Sequence, residues 1–168
     1  MRTLVLAALC TLAFSCKGNS QNPANETTAT ETATAYPVTK TDAEWQKELT
    51  PLQYYILRKA GTENPGTSEW LKNKAEGTYV CAGCGTPVFK SEYKFESGTG
   101  WPSFDREIEG NVAFSEDRSY GMIRVEEHCA TCGGHLGHVF VGEHMTPKNT
   151  RHCVNYTSIK FIPLKEEE

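Results

Sequence analysis

The stretch TYVCAGCGTPVFK, residues 78–90, decides how the chain folds. Thr78 to Val80 and Val88 to Lys90 are β-rich runs, and between them lie two cysteines three apart, Cys81 and Cys84, with small residues between and Gly85 after. Such a knuckle lets backbone and sulfur wrap a tetrahedral Zn2+. The same unit recurs as Cys129-Ala130-Thr131-Cys132-Gly133. One knuckle alone is a weak signal, but two are a strong one. The 44 residues between Cys84 and Cys129 exceed zinc-ribbon spacing, so one structural Zn2+ per chain is expected to join two distant hairpins. Two disulfides, or a redox C-x-x-C pair, are the alternatives. A redox pair belongs at a strand-to-helix junction, whereas both pairs here sit among strand and turn signals.

Outward from the knuckles, further short β runs are broken by Gly and Pro: Asn111 to Phe114, Tyr120 to Glu126, His138 to Val141 and Arg151 to Ile162. Helical signals lie only ahead of them. Thr41 has Glu44 three residues on, and Thr50 has Gln53, the pattern of two capping boxes. Pro51 at a first helical position and Gly61 after Ala60 bracket a helix of about ten residues, with Leu52, Tyr55 and Ile56 on its packing face. The expected fold is mainly β: antiparallel sheets packed as a small barrel-like domain over residues 41–168, with one or two N-terminal helices and a zinc clamp.

The 168 residues carry 17 Lys+Arg against 21 Asp+Glu, a net charge of −4. Without a basic cluster there is no electrostatic footprint for nucleic acid. No apolar run reaches the roughly 18–20 residues of a membrane-spanning helix. Residues 1–15, with Arg2 followed by the apolar Leu4 to Phe14, are expected to be a signal peptide. Cys16 follows small Ser15 and precedes polar residues, as at a bacterial lipoprotein cleavage site, so export and a lipid anchor on Cys16 in the cell envelope are expected. Ordinary cleavage near Ser15 is the alternative. Residues 16–40, rich in Thr, Ala, Asn and Glu, lack the apolar side chains to offset ordering entropy and are expected to form a tether. Asn25 and Asn155 begin glycosylation-type sequons.

Of the seven cysteines, two lie in the export signal and four in the knuckles, which leaves Cys153. Strand alternation places Arg151, Cys153 and Asn155 on one face and His152, Val154 and Tyr156 on the other. Arg151 is expected to favour the thiolate and so nucleophilicity. A buried structural cysteine is the alternative.

The segments Gly98-Thr99-Gly100-Trp101-Pro102-Ser103-Phe104, His135-Leu136-Gly137-His138-Val139-Phe140 and Arg151-His152-Cys153-Val154-Asn155, with both C-x-x-C pairs in this order, closely resemble methionine-R-sulfoxide reductases of type B. The likeness runs from about Leu49 to Phe161. It implies that Cys153 attacks the sulfoxide sulfur and becomes a sulfenic acid, and that His138, with His135 nearby, supplies or relays a proton. It further implies that the Trp101 ring receives the substrate methyl group and that Arg151 and Asn155 help hold the site. Strict alternation would send His135 and His138 to opposite faces, unless a bulge at Gly137 realigns them. Thr99 stands where many members have a resolving cysteine, so a thioredoxin-like protein or small thiol is the expected reductant. His152 and Tyr156 stand where Tyr and Ser are common. Oxidised proteins or peptides are the implied substrates, protein repair under oxidative stress the implied role, and a monomer the default state. A non-enzymatic zinc module binding proteins through Trp101 and Phe104, and a thiol-disulfide oxidoreductase using a C-x-x-C pair, are the competing functions.

Overall fold

The computed structural model describes residues 36–165. The expected signal peptide, Cys10, Cys16 and Asn25 lie outside them. Both capping boxes form. In helix α1, Asp42–Glu48, the Thr41 and Glu44 side chains each bond the other's backbone N–H. Thr50 and Gln53 do the same in α2, Pro51–Lys59, which ends on Ala60 in the left-handed region. The face that α2 buries differs from the expected one. Ile56 and Leu57 are buried, whereas Leu52 and Tyr55 are about half exposed. Tyr55 instead packs its ring against Gly61, where any Cβ would come within 2.3 Å of it.

Nine strands follow: β1 Gly77–Cys81, β2 Pro87–Lys90, β3 Lys94–Phe95, β4 Ser103–Phe104, β5 Val112–Asp117, β6 Arg124–Cys129, β7 His135–Val141, β8 Thr150–Val154 and β9 Ile159–Pro163. They form two antiparallel sheets, one of order β2-β1-β9 and one of order β3-β4-β8-β7-β6-β5. The fold is mainly β with two helices in front. The core lies where aromatic side chains from both sheets meet. Phe89 of β2 stacks on Phe104 of β4 at 4.4 Å between centroids, and Tyr79 of β1 packs edge-on to Phe104 at 5.0 Å. Phe104 is fully buried, so it cannot serve in a surface patch with Trp101.

Two expected strands change. The run from Arg151 to Ile162 breaks into β8 and β9, which belong to different sheets. Its hinge is Asn155 and a 3-10 turn over 156–158. The Glu63 carboxylate fixes that turn by accepting the Thr157 amide at 3.0 Å and the Thr157 hydroxyl at 2.6 Å. The strand expected from Tyr120 starts only at Arg124, because Tyr120 and Gly121 have φ of 55° and 72° and turn the chain. Residues 36–40, assigned by composition to the tether, lie against the domain. The Val38 amide donates to the Thr131 carbonyl at 2.8 Å, and the Tyr36 ring sits edge-on to His128 at 5.9 Å. Asn155 is 4 % exposed, which closes that sequon to modification. Among the described residues no helix is long and apolar enough to cross a membrane.

Candidate active site

Three neighbouring strands position Cys153. It pairs with Ser103 on β4 and with His138 on β7. Paired residues project to the same side of a sheet, so Cys153, His138 and, one pair along, Phe140 and Arg151 share one face. His152 faces the core beside Phe89, as alternation requires. The two histidines come together through the bulge foreseen near Gly137. On β7 His135 pairs with His128 and Gly137 with Glu127, so Leu136 is the extra residue. The rings of His135 and His138 lie 5.4 Å apart. Gly137 is needed for a second reason, since a Cβ there would come within 1.9 Å of the Cys153 carbonyl oxygen.

A cavity of about 140 Å3 collects Cys153, Trp101, His138, Asn155, Phe140, Thr62 and Arg124. The Trp101 indole N–H donates to the Glu63 carbonyl at 3.2 Å, which fixes the ring as a wall. His138 Nε2 meets Asp117 Oδ2 at 2.9 Å, and the Arg124 guanidinium reaches the same oxygen at 2.5 Å. Bonds from Ser119, then His138 and Arg124, hold the Asp117 carboxyl well below the usual range. Burial lowers the pKa of His138, with Asp117 opposing. A neutral imidazole is the form that can exchange a proton near pH 7. His135 Nδ1 meets Glu126 Oε1 at 2.6 Å.

Burial pushes the Cys153 thiol up, and this outweighs the lowering by Arg151 and Thr99. The expectation that Arg151 would favour the thiolate therefore holds in direction but not in outcome. Arg151 is largely committed elsewhere, with Nε and Nη2 donating to the Glu143 carboxylate at 2.7 and 3.0 Å. Asn155 is a brace. Its Oδ1 accepts the Glu63 amide at 3.2 Å and its Nδ2 donates to the Leu136 carbonyl at 3.1 Å. Since β8 ends at Val154, the alternation argument does not extend to Asn155 or Tyr156. Asn155 reaches the cavity from the hinge. The Thr99 hydroxyl is held by Ser97, which bonds the buried Ser103 across from Cys153.

Glu63, Arg124, Asp117 and Thr62 were not singled out by sequence. Glu63 acts on Thr157 and Asp117 on His138, both distant in the chain, while Thr62 and Arg124 join the site as lining of the cavity, and no local pattern marks any of the four.

The four knuckle cysteines meet. Their sulfurs lie within 4.8 Å of one another, with contacts that cross between knuckles: Cys81 to Cys132 at 3.7 Å and Cys84 to Cys129 at 3.5 Å. Four sulfurs each about 2.3 Å from a tetrahedral Zn2+ stand about 3.8 Å apart, so the set fits that ion. All four are free cysteines.

Comparison with known proteins identifies a SelR domain over residues 49–163. The chain is 53 % identical over 131 residues to peptide methionine sulfoxide reductase B3, chloroplastic, of rice; the match covers 77 % of this chain and 56 % of that one. It is 51 % identical over 127 residues to peptide methionine sulfoxide reductase MsrB of Leptospira interrogans, covering 75 % of this chain and 96 % of the relative. With the MsrB of Leifsonia xyli the identity is 48 % over 132 residues, covering 78 % and 95 %.

Proposed function

Because this chain belongs to the SelR-domain family of MsrB-type peptide methionine sulfoxide reductases, we propose that it reduces methionine-R-sulfoxide residues of oxidised proteins at Cys153. The observation that carries this reading is the cavity that sets Cys153 beside His138 and the Trp101 ring. The Cys153 sulfur attacks the sulfoxide sulfur, forming an S–S bond as the oxygen is protonated; the oxygen then passes to the Cys153 sulfur while the S–S and S–O bonds of the substrate sulfur break, so methionine leaves and a sulfenic acid remains on Cys153. Two electrons pass from Cys153 to the substrate. His138, supported by His135, protonates the sulfoxide oxygen, and the Asp117 carboxylate holds the His138 ring for that transfer. Trp101 offers an aromatic face to the substrate's methyl group.

The resting thiol is raised by burial, so the nucleophile is expected to ionise as substrate enters and His138 takes up or redistributes the proton. With Thr99 rather than a cysteine beside Cys153, an external thiol attacks the sulfenic acid and expels water. A second thiol then releases a disulfide and restores Cys153. Zn2+ on Cys81, Cys84, Cys129 and Cys132 would supply a closed structural cross-link with no open position for chemistry. Arg151 and Asn155 brace the strand and the hinge. Residues 1–15 as an export signal, a lipid on Cys16, work in protein repair in the cell envelope and action as a monomer complete the proposal.

The test is to incubate the metal-loaded chain with separated R and S epimers of a methionine-sulfoxide peptide and dithiothreitol, alongside Cys153→Ser. Turnover of the R epimer alone, abolished in the variant while the fold and metal content persist, is the expected result. Equal turnover of both epimers, or full activity in Cys153→Ser, overturns it.

A further inference from the structure

Between α2 and β1, residues 61–64 belong to no helix or strand, so no ladder of backbone bonds fixes where they lie. At Glu63 every polar group of one residue is spent on the Cys153 site instead. Its N–H donates to Asn155 Oδ1 and its carbonyl accepts the Trp101 indole N–H, each at 3.2 Å. One carboxylate oxygen accepts the Tyr156 amide, and the other accepts the Thr157 amide at 3.0 Å and the Thr157 hydroxyl at 2.6 Å. The residue is buried, and Thr62 just before it lines the cavity itself. One residue thus ties the cavity's aromatic wall to the hinge that follows Cys153.

Trp101 also precedes its strand, since β4 begins only at Ser103. The loop that carries it rests on the same segment. The Gly66 amide donates to the Gly100 carbonyl at 2.8 Å, and Pro65 packs so closely that a Cβ on Gly100 would lie 2.7 Å from it. The position of the indole ring therefore depends on where residues 61–66 sit, and that depends on the Glu63 carboxylate. A carboxylate suits the task because all three groups that face it are donors. An amide in its place would set its own NH2 against an N–H whichever way it turned, and a buried donor left unpaired is costly. In a cavity of about 140 Å3, movement of one wall changes which alkyl group fits beside the reacting sulfur.

We propose that Glu63 is a positioning residue that sets the site's selectivity for the alkyl group on the substrate sulfur. Its carboxylate pins residues 61–64 to the turn between β8 and β9, and its carbonyl then holds the Trp101 ring where a methyl group fits and an ethyl group does not. The inference rests on the reductase reading and deepens it, because it names what keeps the methyl wall in place.

The experiment uses the full metal-loaded chain, dithiothreitol and the R-sulfoxides of two compounds, the N-acetyl amides of methionine and of ethionine, which differ by one methylene. Wild type is expected to prefer the methyl compound in kcat/KM by about tenfold, the worth of one methylene in a close-fitting pocket, and Glu63→Gln to cut that preference to about threefold or less, chiefly by raising KM for the methyl compound. Thr157→Val, which removes only the hydroxyl donor, should lower the preference partway, and Thr157→Ser should keep it. A residue that served only the fold would lower activity on both compounds equally and leave their ratio alone. In 15N–1H spectra the Trp101 indole N–H, identified by its loss in Trp101→Phe, should shift and exchange faster with solvent in Glu63→Gln and in Thr157→Val. Should Glu63→Gln fail to fold, the two Thr157 variants decide. Equal use of both compounds by wild type, an unchanged ratio in the folded variants, or an unmoved indole N–H overturns the proposal. If wild type reduces neither sulfoxide, the reductase reading fails, and the indole measurement alone decides whether Glu63 positions Trp101.

Discussion

At Glu127 a carboxylate is fully buried with one oxygen on His152 Nδ1 at 2.7 Å and the other without a partner among the described residues. His152 Nε2 lies 3.2 Å from Glu107, so the imidazole bridges two acids directly behind Cys153. Burial by itself would lower the His152 pKa, but the bond and charge of Glu127, joined by Glu107 and Asp105, raise it. A histidine raised in the folded state stabilises the fold fully below its unfolded value of about 6.5 and loses that contribution as pH rises through the folded value. The stability gained by wild type over Glu127→Gln should therefore be greatest below about pH 6.5 and fade as pH rises through the raised His152 value. Histidine NMR should place the His152 midpoint above the ordinary value in wild type and lower in Glu127→Gln; an unmoved midpoint refutes the bridge. Alternation in the sequence put His152 opposite Cys153 and did so correctly. Its acidic partners were not legible, because Glu127 and Glu107 reach it only once β6 and the segment after β4 are in place.

Elements were legible where short-range chemistry defines them. Two capping boxes and Pro51 announce both helices, and the bulge in β7 was foreshadowed by Gly137 and by two histidines that alternation alone would separate. The strands β3 and β4 are two residues long, too short for any pattern to register. The break between β8 and β9 is imposed by the Glu63 carboxylate from another part of the chain, so continuous β-propensity from Arg151 onward concealed it. The close approach of β7 and β8 is what brings His138 to Cys153, and it tolerates no side chain at position 137. Gly137→Ala puts a methyl 1.9 Å from the Cys153 carbonyl oxygen and must push the strands apart. Overpacking of this kind costs about 1–3 kcal/mol, to be read as a lower denaturant midpoint. Reductase activity should fall further than that loss of stability explains, since the His138 and Cys153 pairing is itself displaced. Full activity at the wild-type midpoint would show that the strands yield without disturbing the site.

Across the whole molecule, the cysteine knuckles belong to different sheets. Cys81 and Cys84 close the β1–β2 hairpin of the three-stranded sheet, whereas Cys129 and Cys132 close the β6–β7 hairpin of the six-stranded one. In each knuckle the glycine after the second cysteine has positive φ, Gly85 at 78° and Gly133 at 67°. The glycine N–H donates to the carbonyl of the first cysteine, Cys81 or Cys129, at 2.8 Å. That turn aims both sulfurs to one side, and Arg58 from α2 donates to the Cys132 carbonyl at 2.9 Å, tying a helix to the same corner. A metal held by all four thiolates is therefore a staple between sheets that otherwise share mainly the aromatic core. The strands β4, β7 and β8 that position Cys153 and His138 all lie in the larger sheet, so loss of the staple should free β1, β2 and β9 before it dismantles the site. One zinc per chain should be released by a chelator in mild denaturant, and binding energy of a structural zinc is folding energy. Removal should lower the melting temperature by more than about 10 °C. Hydrogen exchange should accelerate first in β1, β2 and β9, with β7 and β8 retaining protection longer. Cys84→Ser, which removes one ligand, should reproduce this pattern without chelator. Uniform loss of protection through both sheets would instead mean that the metal sustains one cooperative unit.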